Sequence, residues 1–463
     1  MNPQSLLGHC AEVLTQIERS RSTPADALVS HYTRSRKYLG AKERRALSEI
    51  VFTTLRTKNT AEHITVSLLE QSHVPLPAPA LAALIGATAA VGPQWADFDP
   101  NALLDAAANS PTSLTDAFAH LYHARTQAAL PDNWPEHLLR LLADLDAADE
   151  RSTSNLALAS CLPPWIVEHL QQQGRTTAAI KELGRALLRP APVTLRIAPP
   201  MVERQAVLES LEREGIAAHP TLYSPDGVVL ERRVQLLEHP LYRNGILEVQ
   251  DEGSQLISFA LNPEPEWRIL DACAGAGGKT LHIARLQNDR GSIVASDVDP
   301  ARLQNLRRRL RRHRFRSIQV EMLPRLSPAE QRTLIARFDA VLLDVPCSGT
   351  GTLRRAPEIK WRLGPRQLER IIAKQERILH TYAPYVRPGG VLLYATCSIL
   401  PGENECIIER FLDHHPDFVP DRLAPSFARW GIGLVVESTQ WQLQLLPNVH
   451  GTDGFFIARL RRR

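Results

Sequence analysis

The sequence offers little support for metal or disulfide chemistry. Its six cysteines include no C-x-x-C pair, so we expect neither a metal site nor a disulfide framework. Free thiols are typical of a reducing compartment, and we therefore expect a cytoplasmic protein. No charge of one sign dominates either, because 54 Lys and Arg residues stand against 50 Asp and Glu residues and the formal net charge is +4. This balance permits a nucleic-acid partner without requiring one.

A long uninterrupted hydrophobic run is also missing. The longest uncharged run, Val74–Ala96, is broken by four prolines, and the stretch between Pro79 and Pro93 is too short to cross a bilayer as a helix. The N-terminal segment MNPQSLLGHCAEVLTQIERSR has an early acidic residue and lacks the apolar stretch of a signal peptide. We therefore expect no membrane partner and no targeting segment, and interpret the uncharged run as a buried core helix.

The pattern of the chain changes twice over its 463 residues, which are enough for several domains. Residues 1–155 are rich in Ala and Leu, which predicts an all-helical domain. Residues 156–240 hold short strands such as VTLRI and a helix near Val202–Gly215, which predicts a small α/β accessory module. Residues 241–463 alternate short apolar strands with helices, the pattern of a doubly wound α/β sheet.

The first part contains a basic helical stretch. Apolar Leu47, Ile50, Val51 and Leu55 recur at helical spacing, with basic residues on the other faces. The Arg and Lys residues of the segment Arg34–Arg45 suit either a solvated, salt-bridged helix or contacts with a phosphate backbone. The segment alone leaves both interpretations open.

In the third part we predict five strands and four helices. The strands are Arg268–Asp271, Ser292–Asp297, Ala340–Asp344, Val391–Thr396 and Phe455–Leu460, the last as an added edge strand. The helices are Gly278–Leu286, Pro300–Arg312, Gln367–Tyr385 and Asn404–His414. Ligands of an open parallel sheet bind outside the carboxyl ends of its strands, so residues that follow these strands can meet in one pocket.

Three cysteines follow three of the predicted strands. Cys273 comes after the first, Cys347 after the strand that ends in Asp344, and Cys397 after the fourth. Cys347 is preceded by a proline and Cys397 by a threonine. Two thiols and a carboxylate at the same edge of a sheet indicate covalent chemistry.

The glycine-rich turn after the first strand admits three interpretations. A phosphate loop of the form G-x-x-x-x-G-K-S/T needs glycine at position 273, which is a cysteine. A nicotinamide site needs the motif G-x-G-x-x-G, which is not met after Gly275. An S-adenosylmethionine site needs an acidic strand end, a close-approach glycine turn and a second acid about 20 residues on for the ribose hydroxyls. Asp271 and Asp297 supply the two acids. The loop alone suits several cofactors, and the cysteines favour the third.

Methylation of a pyrimidine at carbon 5 explains why thiols accompany such a loop. Adding a thiolate to carbon 6 makes carbon 5 enamine-like and able to attack a sulfonium methyl group, after which a base must remove the carbon-5 proton so that the thiol can leave. An unperturbed thiol with a pKa of about 8.5 is only about 3% ionised at pH 7. Lowering the pKa gains little, so orientation and hydrogen bonding to the ring must contribute more. Asp344 is our candidate for the contact with the cytosine edge.

Three segments resemble the motifs of a known family. DACAGAGGKT, LLDVPCSGTGTLRR and YATCSILPGENE closely resemble motifs of the Sun/nucleolar-protein family of RNA (cytosine-5) methyltransferases. TDGFFIARL looks like the last strand of that family, LEVQDEGSQL like the segment that leads into its catalytic part, and Arg36–Arg45 like the NusB-like domain of its bacterial members. Among these, the chain is most similar to those that methylate a cytosine in small-subunit (16S) ribosomal RNA.

This resemblance implies a domain organisation and residue roles. Residues 241–463 would form a Rossmann-like methyltransferase domain that uses S-adenosyl-L-methionine, preceded by a NusB-like helical RNA-binding domain and a small α/β RNA-binding module. Cys397 would be the nucleophile and Cys347 would assist product release. DNA cytosine methyltransferases instead use a Pro-Cys nucleophile, and the residues alone leave that alternative open.

The resemblance also implies which residues bind the cofactor. Asp297 would contact the ribose, and Asp344 both the cofactor amine and the target base, with Lys279 among the catalytic residues. The loop that binds the cofactor would consist of Cys273, Ala274, Gly275, Ala276, Gly277, Gly278 and Lys279, with the methionine part held from Gly275 onwards. We interpret the Cys273 thiol itself as packing within the loop.

The chain departs from the family at two places. Ala276 stands where the family often has proline, a mild change in a turn. The third strand of the family usually ends in an Asp near the adenine, whereas here the region reads SIQVEMLP. In place of this Asp, either Glu321 or apolar contact alone would hold the adenine. This departure therefore affects the expected affinity for the cofactor.

Arginine is concentrated in one stretch. Residues 302–316 contain eight arginines and no acidic residue. Such a run is either a solvated face or a surface for a polyanion. Binding of a polyanion would reduce the repulsion between its like charges, which favours the second interpretation. We therefore predict that neutralising Arg307, Arg308 and Arg311 weakens RNA binding. In the accessory module Arg196 is the most suggestive polar residue, although a lone arginine on a strand is usually structural.

The sequence favours an RNA cytosine-5 methyltransferase. We expect a monomer that acts on an unstacked base of ribosomal RNA, either naked or in a partly assembled small subunit. The alternatives are a transfer RNA substrate and a non-catalytic RNA-binding factor of ribosome assembly. The presence of both thiols together with Asp344 and Lys279 favours the enzyme over the assembly factor.

Overall fold

The computed structural model describes residues 3–20, 22–70, 152–198, 202–236 and 238–463. The core helix interpreted at Val74–Ala96 lies outside these ranges. The chain divides into two compact units, one comprising Met1–Pro190 with Thr352–Pro365 and the other Ala191–Gly351 with Arg366–Arg463. Within the described ranges, no helix is both long enough and apolar enough to cross a membrane.

The first unit is helical in its described part, as the sequence predicts. Its helices are α1 (Pro3–Arg19), α2 (Ala25–Ser35), α3 (Ala41–Glu70), α4 (Thr153–Ala159), α5 (Pro164–Gln172), α6 (Thr177–Leu188) and a short helix at Ile359–Arg362. The apolar residues at helical spacing on α3, Leu47, Ile50, Val51 and Leu55, are all buried in one core with residues of α1 and α2. The periodicity therefore identified the inward face of α3 correctly.

The segment Thr352–Pro365 is part of the helical unit although it follows a strand of the other unit in sequence. The Trp361 indole N–H donates to the carbonyl of Leu55 at 2.6 Å. The buried Lys360 Nζ donates to the carbonyls of Arg56 at 2.7 Å and Cys161 at 2.5 Å. These bonds anchor the segment in the helical core, which no local pattern in the sequence indicated.

The second unit begins with a four-stranded antiparallel sheet in the order β2-β3-β1-β4. Its elements are β1 (Val193–Ile197), α7 (Arg204–Arg213), β2 (Ala218–Pro220), β3 (Gly227–Leu230), α8 (Pro240–Arg243) and β4 (Leu247–Val249). The segment VTLRI is β1, as predicted. Apolar residues of α7 and the strands, such as Val207, Leu195 and Val228, form its core.

The larger sheet has eight strands, and its main path runs β10-β12-β9-β8-β5-β6-β7. The strands are β5 (Arg268–Asp271), β6 (Ser292–Ser296), β7 (Ile318–Glu321), β8 (Phe338–Asp344), β9 (Val386–Thr396), β10 (Phe418–Pro420), β11 (Gln442–Leu445) and β12 (Phe455–Arg462). Strands β5 to β9 pair in parallel, and β12 pairs with β9 in antiparallel fashion. All five predicted strands exist.

The prediction that the last strand lies at the edge of the sheet is wrong. Strand β12 is flanked by β9 on one side and by two short strands on the other. Strand β10 pairs with its last residues and β11 with its first. Each short strand has only three or four residues, too few to give a recognisable alternating pattern in the sequence.

Helices cover both faces of the larger sheet, which confirms the doubly wound α/β class. They are α9 (Glu252–Leu261), α10 (Gly278–Leu286), α11 (Pro300–His313), α12 (Pro328–Arg332), α13 (Pro365–Tyr382), α14 (Glu405–His414), α15 (Ala424–Arg429) and α16 (Pro447–His450). Successive strand residues alternate between two cores, with Leu343 in one and Leu342 in the other. The predicted helix to Tyr385 ends at Tyr382, followed by a short turn of 3₁₀ helix.

Candidate active site

Two of the three strand-end thiols lie side by side. Strands β8 and β9 are parallel neighbours, with Asp344 opposite Ala395, so the loops that follow them leave the sheet together. The Sγ atoms of Cys347 and Cys397 are 3.1 Å apart, and the Cys397 backbone N–H donates to the Cys347 sulfur at 3.3 Å. Both thiols are partly exposed. The convergence that parallel topology predicts is therefore present.

Cys273, the third strand-end cysteine, and Cys347 both have a raised pKa. Burial, together with the negative charge of Asp271 and Asp344, raises the pKa of Cys273 and disfavours its thiolate. The pKa of Cys347 is also raised, first by its hydrogen bond with Cys397 and then by burial. A thiol with a raised pKa reacts slowly as a nucleophile at neutral pH.

A buried carboxylate, which the sequence did not single out, ties the two thiol loops together. Glu403 accepts hydrogen bonds from the Ser348 N–H at 2.7 Å and from the hydroxyls of Ser348 and Ser398 at 2.5 Å each. Its Oε1 also accepts from the Gln375 amide at 3.0 Å. Since Ser348 follows Cys347 and Ser398 follows Cys397, Glu403 fixes the spacing of both thiols.

Asn404 fixes the second thiol loop from its other side. Its Oδ1 accepts from the Thr396 hydroxyl at 2.6 Å and its Nδ2 donates to the Ser398 carbonyl at 3.0 Å. Both of these residues are direct neighbours of Cys397, and Asn404 Nδ2 also donates to Gln444 Oε1 at 3.0 Å. The only sign of these roles in the sequence is the polar run GENE, which ends the quoted motif YATCSILPGENE, and nothing in its spacing relates it to the thiols.

An ion pair joins the glycine-rich loop to β8. The Lys279 Nζ lies 2.6 Å from Asp344 Oδ2, and the lysine side chain is 11% exposed. Burial lowers the pKa of Lys279, but the charge and hydrogen bond of Asp344 outweigh this and raise it above its usual value. Lys279 is therefore a permanent cation that holds one carboxylate oxygen of Asp344.

The glycine-rich loop has the backbone that close approach of a ligand requires. Gly275 and Gly277 have φ values of +55° and +85°, in the left-handed region that favours glycine. A Cβ at Gly277 would lie 2.1 Å from Leu306 Cδ1, whereas at Gly275 no heavy atom lies within 4 Å. The loop is thus packed on one side and open on the other, ahead of the N-terminus of α10.

Two acidic residues border this loop, Asp271 at the end of β5 and Asp297 directly after β6. Asp297 accepts the N–H of Gly275 at 2.9 Å and that of Asp299 at 2.8 Å. Asp271 accepts the Thr280 hydroxyl at 2.7 Å, while its other oxygen is buried without a hydrogen-bond partner. Burial is the largest cause that raises the pKa of Asp271 to about 7.

These features fit S-adenosyl-L-methionine. The free N–H groups of a helix N-terminus attract a carboxylate, the acids suit an ammonium group and a ribose diol, and Val298 beside Asp297 is an apolar side chain that is 62% exposed. Of the departures from the family, Ala276 lies between the two left-handed glycines, and Glu321 ends β7 with an exposed side chain. The loop residues from Cys273 to Lys279 thus surround one open turn.

Comparisons with known proteins agree with this site. The family model of the 16S rRNA methyltransferase RsmB/F matches residues 258–461, and that of the RsmF/B-like ferredoxin-like domain matches residues 162–236. The latter covers most of the four-stranded sheet. A probable ribosomal RNA small subunit methyltransferase B from Synechocystis is 36% identical over 301 residues, 65% of this chain and 66% of the relative.

A second relative and a solved structure extend the match. The probable ribosomal RNA small subunit methyltransferase B of Bacillus subtilis is 33% identical over 316 residues, which cover 68% of this chain and 70% of the relative. The crystal structure of PH0851 has the same fold, with a TM-score of 0.73 over 100% of this chain and 99% of that one at 23% identity. The chain therefore belongs to the RsmB/F family of methyltransferases, which use S-adenosyl-L-methionine.

Proposed function

We propose that the protein methylates carbon 5 of a cytosine in small-subunit ribosomal RNA through a transient bond between Cys397 and carbon 6 of the base. The observation that carries this proposal is the pair of thiols 3.1 Å apart at the carboxyl edge of the sheet. Lys279 and Asp344 lie at the same edge. The relatives named ribosomal RNA small subunit methyltransferase B support the substrate.

The chemistry requires one thiol to add to the base and then to leave. The Cys397 sulfur bonds to carbon 6, and carbon 5 becomes nucleophilic and gains the methyl group. A base then takes the proton from carbon 5, the ring double bond reforms, and the electron pair of the broken carbon–sulfur bond returns to the Cys397 sulfur as a thiolate. S-adenosyl-L-methionine, when bound, would supply the electrophilic methyl group and leave as S-adenosylhomocysteine.

The contact between the two sulfurs supports complementary roles for the two thiols. Their hydrogen bond raises the pKa of Cys347, so the pair favours one thiolate beside one protonated thiol. The Cys347 sulfur lies where a group must be to exchange a proton with the Cys397 sulfur as the product is released. We assign the nucleophile to Cys397 and product release to Cys347 because the motifs of the family imply these roles.

Asp344 and the glycine-rich loop receive the remaining roles. Lys279 holds Oδ2 of Asp344, which leaves the carboxylate oriented for the edge of the cytosine and for the cofactor amine. The turn from Gly275 to Lys279 would hold the methionine part of the cofactor, and Asp297 the ribose. In this proposal Cys273 contributes packing within the loop rather than chemistry.

The outer face of α11 is our candidate for phosphate contacts. Arg307, Arg308 and Arg311 are exposed on this helix, and clustered arginines gain free energy by neutralising phosphates. Replacing these exposed arginines tests their contact with phosphates directly.

We also propose that the NusB-like region 1–155 and the four-stranded ferredoxin-like sheet bind RNA. The acting species in this proposal is a cytoplasmic monomer.

The central test uses labelled S-adenosylmethionine and an unmodified small-subunit ribosomal RNA transcript. We expect label on carbon 5 of cytosine, and its loss in Cys397→Ala. Cys347→Ala should instead leave a protein–RNA adduct that survives denaturation. If Cys397→Ala traps the adduct, the two thiols have the opposite roles. Transfer RNA in the same assay tests the alternative substrate, and binding of RNA without labelling of any RNA would favour an assembly factor.

A second test concerns the arginine face. Replacing Arg307, Arg308 and Arg311 together by Gln should weaken RNA binding and reduce the slope of log affinity against log salt by up to about 2 to 3, since each lost phosphate contact removes about 0.7 to 0.9. The control is Arg370→Gln, an exposed arginine on α13. An unchanged salt slope in the triple variant would reject the phosphate role of this face.

A further inference from the structure

Two carbonyls of the cofactor loop are held by arginines from outside the loop. Arg309, on α11, donates its Nη1 to the carbonyl of Ala276 at 2.7 Å. Arg196, on β1, donates its Nη1 to the carbonyl of Gly278 at 2.9 Å. These carbonyls flank Gly277, so two separate elements hold the turn on both sides of its left-handed glycine.

Strand β4 and the residue after it anchor both arginines. Glu248 of β4 contacts the Arg309 Nη2 at 2.6 Å and also binds Arg312 and His313. Gln250 accepts from the same Arg196 nitrogen that contacts Gly278. Burial raises the pKa of Glu248, but the bonds from His313 and Arg309 outweigh it and lower the pKa to about 2. Glu248 is therefore a carboxylate at every physiological pH.

A third contact comes from the same helix as Arg309. Leu306, one turn earlier on α11, is the residue that a Cβ at Gly277 would meet. The inward face of α11 therefore touches the loop at two consecutive residues, Ala276 and Gly277. Its exposed arginines, such as Arg308, lie on other faces. The arginine-rich helix thus combines a loop-holding face with a solvent face, and Arg309 belongs to the first.

Holding a carbonyl also fixes the amide that follows it. In a planar trans peptide the N–H points opposite to the carbonyl of the preceding residue. The bond from Arg196 to the Gly278 carbonyl consequently fixes the direction of the Lys279 N–H. That N–H lies in the first turn of α10, where helical N–H groups lack partners within the helix and can bind an anion.

We propose that Arg309 and Arg196 are positioning residues for the cofactor: together with Glu248 and Gln250 they fix the turn from Ala276 to Lys279 in the conformation that receives the methionine carboxylate of S-adenosylmethionine. This inference rests on the proposed role of the glycine-rich loop and is independent of the RNA substrate. It also gives Arg196 of the accessory sheet a function in the methyltransferase site rather than a structural one alone.

The test measures cofactor binding by RNA-free protein. Arg309→Gln should bind S-adenosylhomocysteine at least about 10-fold more weakly than the original protein. Without the bond from Arg309 the loop must become ordered when the ligand binds, and this ordering costs conformational entropy. Arg314→Gln, which changes an exposed arginine directly after the same helix, should bind S-adenosylhomocysteine normally. Arg196→Met should weaken binding in the same direction as Arg309→Gln.

A second ligand separates positioning from general damage. 5′-Methylthioadenosine lacks the amino-acid part of the cofactor, so its affinity should be unchanged in Arg309→Gln. An equal loss for both ligands, or normal S-adenosylhomocysteine binding, would overturn the proposal. If Arg309→Gln fails to fold, Arg309→Lys is the second variant. It keeps a positive charge opposite Glu248, but its single nitrogen cannot replace the two arginine nitrogens that bind Glu248 and the Ala276 carbonyl. The same comparison of the two ligands applies to this variant. Failure of the original protein to bind either ligand would instead reject the proposed function.

Discussion

Two lysines that are largely removed from solvent, one in each unit, have opposite electrostatic environments. Lys279 contacts the carboxylate of Asp344, which raises its pKa despite burial. Lys360 donates to the neutral carbonyls of Arg56 and Cys161, and burial, the largest cause, lowers its pKa to about 7. Burial disfavours the charge of both side chains, but only an opposite charge compensates fully for the lost hydration.

The difference in pKa corresponds to different structural roles of the two lysines. A fixed cation beside Asp344 orients a carboxylate at the edge of the sheet where the thiols lie. Lys360 instead joins the segment Thr352–Pro365 to α3 and to the end of α4 through hydrogen bonds that a neutral amine can also donate. Replacing each lysine by methionine, which keeps the length of the side chain and removes its charge, therefore tests two different properties.

The largest effect should come from Lys279→Met. We expect methyl transfer to fall by about 100-fold or more, since a misplacement of about 1 Å in the reacting geometry can cost this much. Single-turnover methylation measures the loss, with circular dichroism as the control for folding. Lys360→Met serves as the matched variant and should keep its affinity for the cofactor. Nearly full activity in Lys279→Met would remove the proposed role of the ion pair.

A second prediction concerns Glu403, a buried carboxylate in the site whose hydrogen-bond donors, Ser348, Ser398 and Gln375, carry no charge. Glu403→Gln keeps the shape but weakens the bonds to Ser348 and Ser398, and hydrogen bonds to charged groups contribute about 1.5 to 3 kcal/mol each. We expect a loss of stability of about 2 kcal/mol and slower methylation because the thiols lose their fixed spacing. Urea unfolding and single-turnover assays measure the two effects.

The control for Glu403 is Glu409→Gln, an exposed residue of α14. It should change neither stability nor rate appreciably. If Glu403→Gln is destabilised but methylates at the normal rate, the carboxylate is structural and does not set the spacing of the thiols.

A third prediction concerns the pH dependence of stability that is due to Lys360. Its pKa is about 7 in the folded protein and about 10.4 when unfolded. Between these values the unfolded state binds the proton and the folded state does not, so this lysine makes stability rise with pH, by up to about 1.4 kcal/mol per unit. Below pH 7 both states are protonated and the contribution is constant.

The measurement is the free energy of unfolding from pH 7 to 10 for the original protein and Lys360→Met. The difference between them should shift in favour of the original protein as the pH rises. A constant difference would mean that Lys360 keeps its charge on folding, which would remove the contrast with Lys279.

Local patterns were sufficient for much of the fold. The helix Gly278–Leu286 and the strand Arg268–Asp271 have their predicted bounds because strand and helix periodicity depend on neighbouring residues. The meeting of Cys347 and Cys397 was predictable too, since parallel strands end at one edge of the sheet. The assignment of the nucleophile to one of these thiols came from family resemblance, because both follow strands in the same way.

Tertiary structure alone decided which partners the polar and charged residues have. The eight arginines of residues 302–316 are one run in the sequence, yet Arg309 and Arg312 contact buried Glu248, about 60 positions away in the chain, while Arg308 is exposed. Glu403 and Lys360 likewise owe their roles to groups distant in sequence. Periodicity records which face of an element is buried, whereas the partner of a buried charge depends on distances in space, and these exist only once the elements have packed.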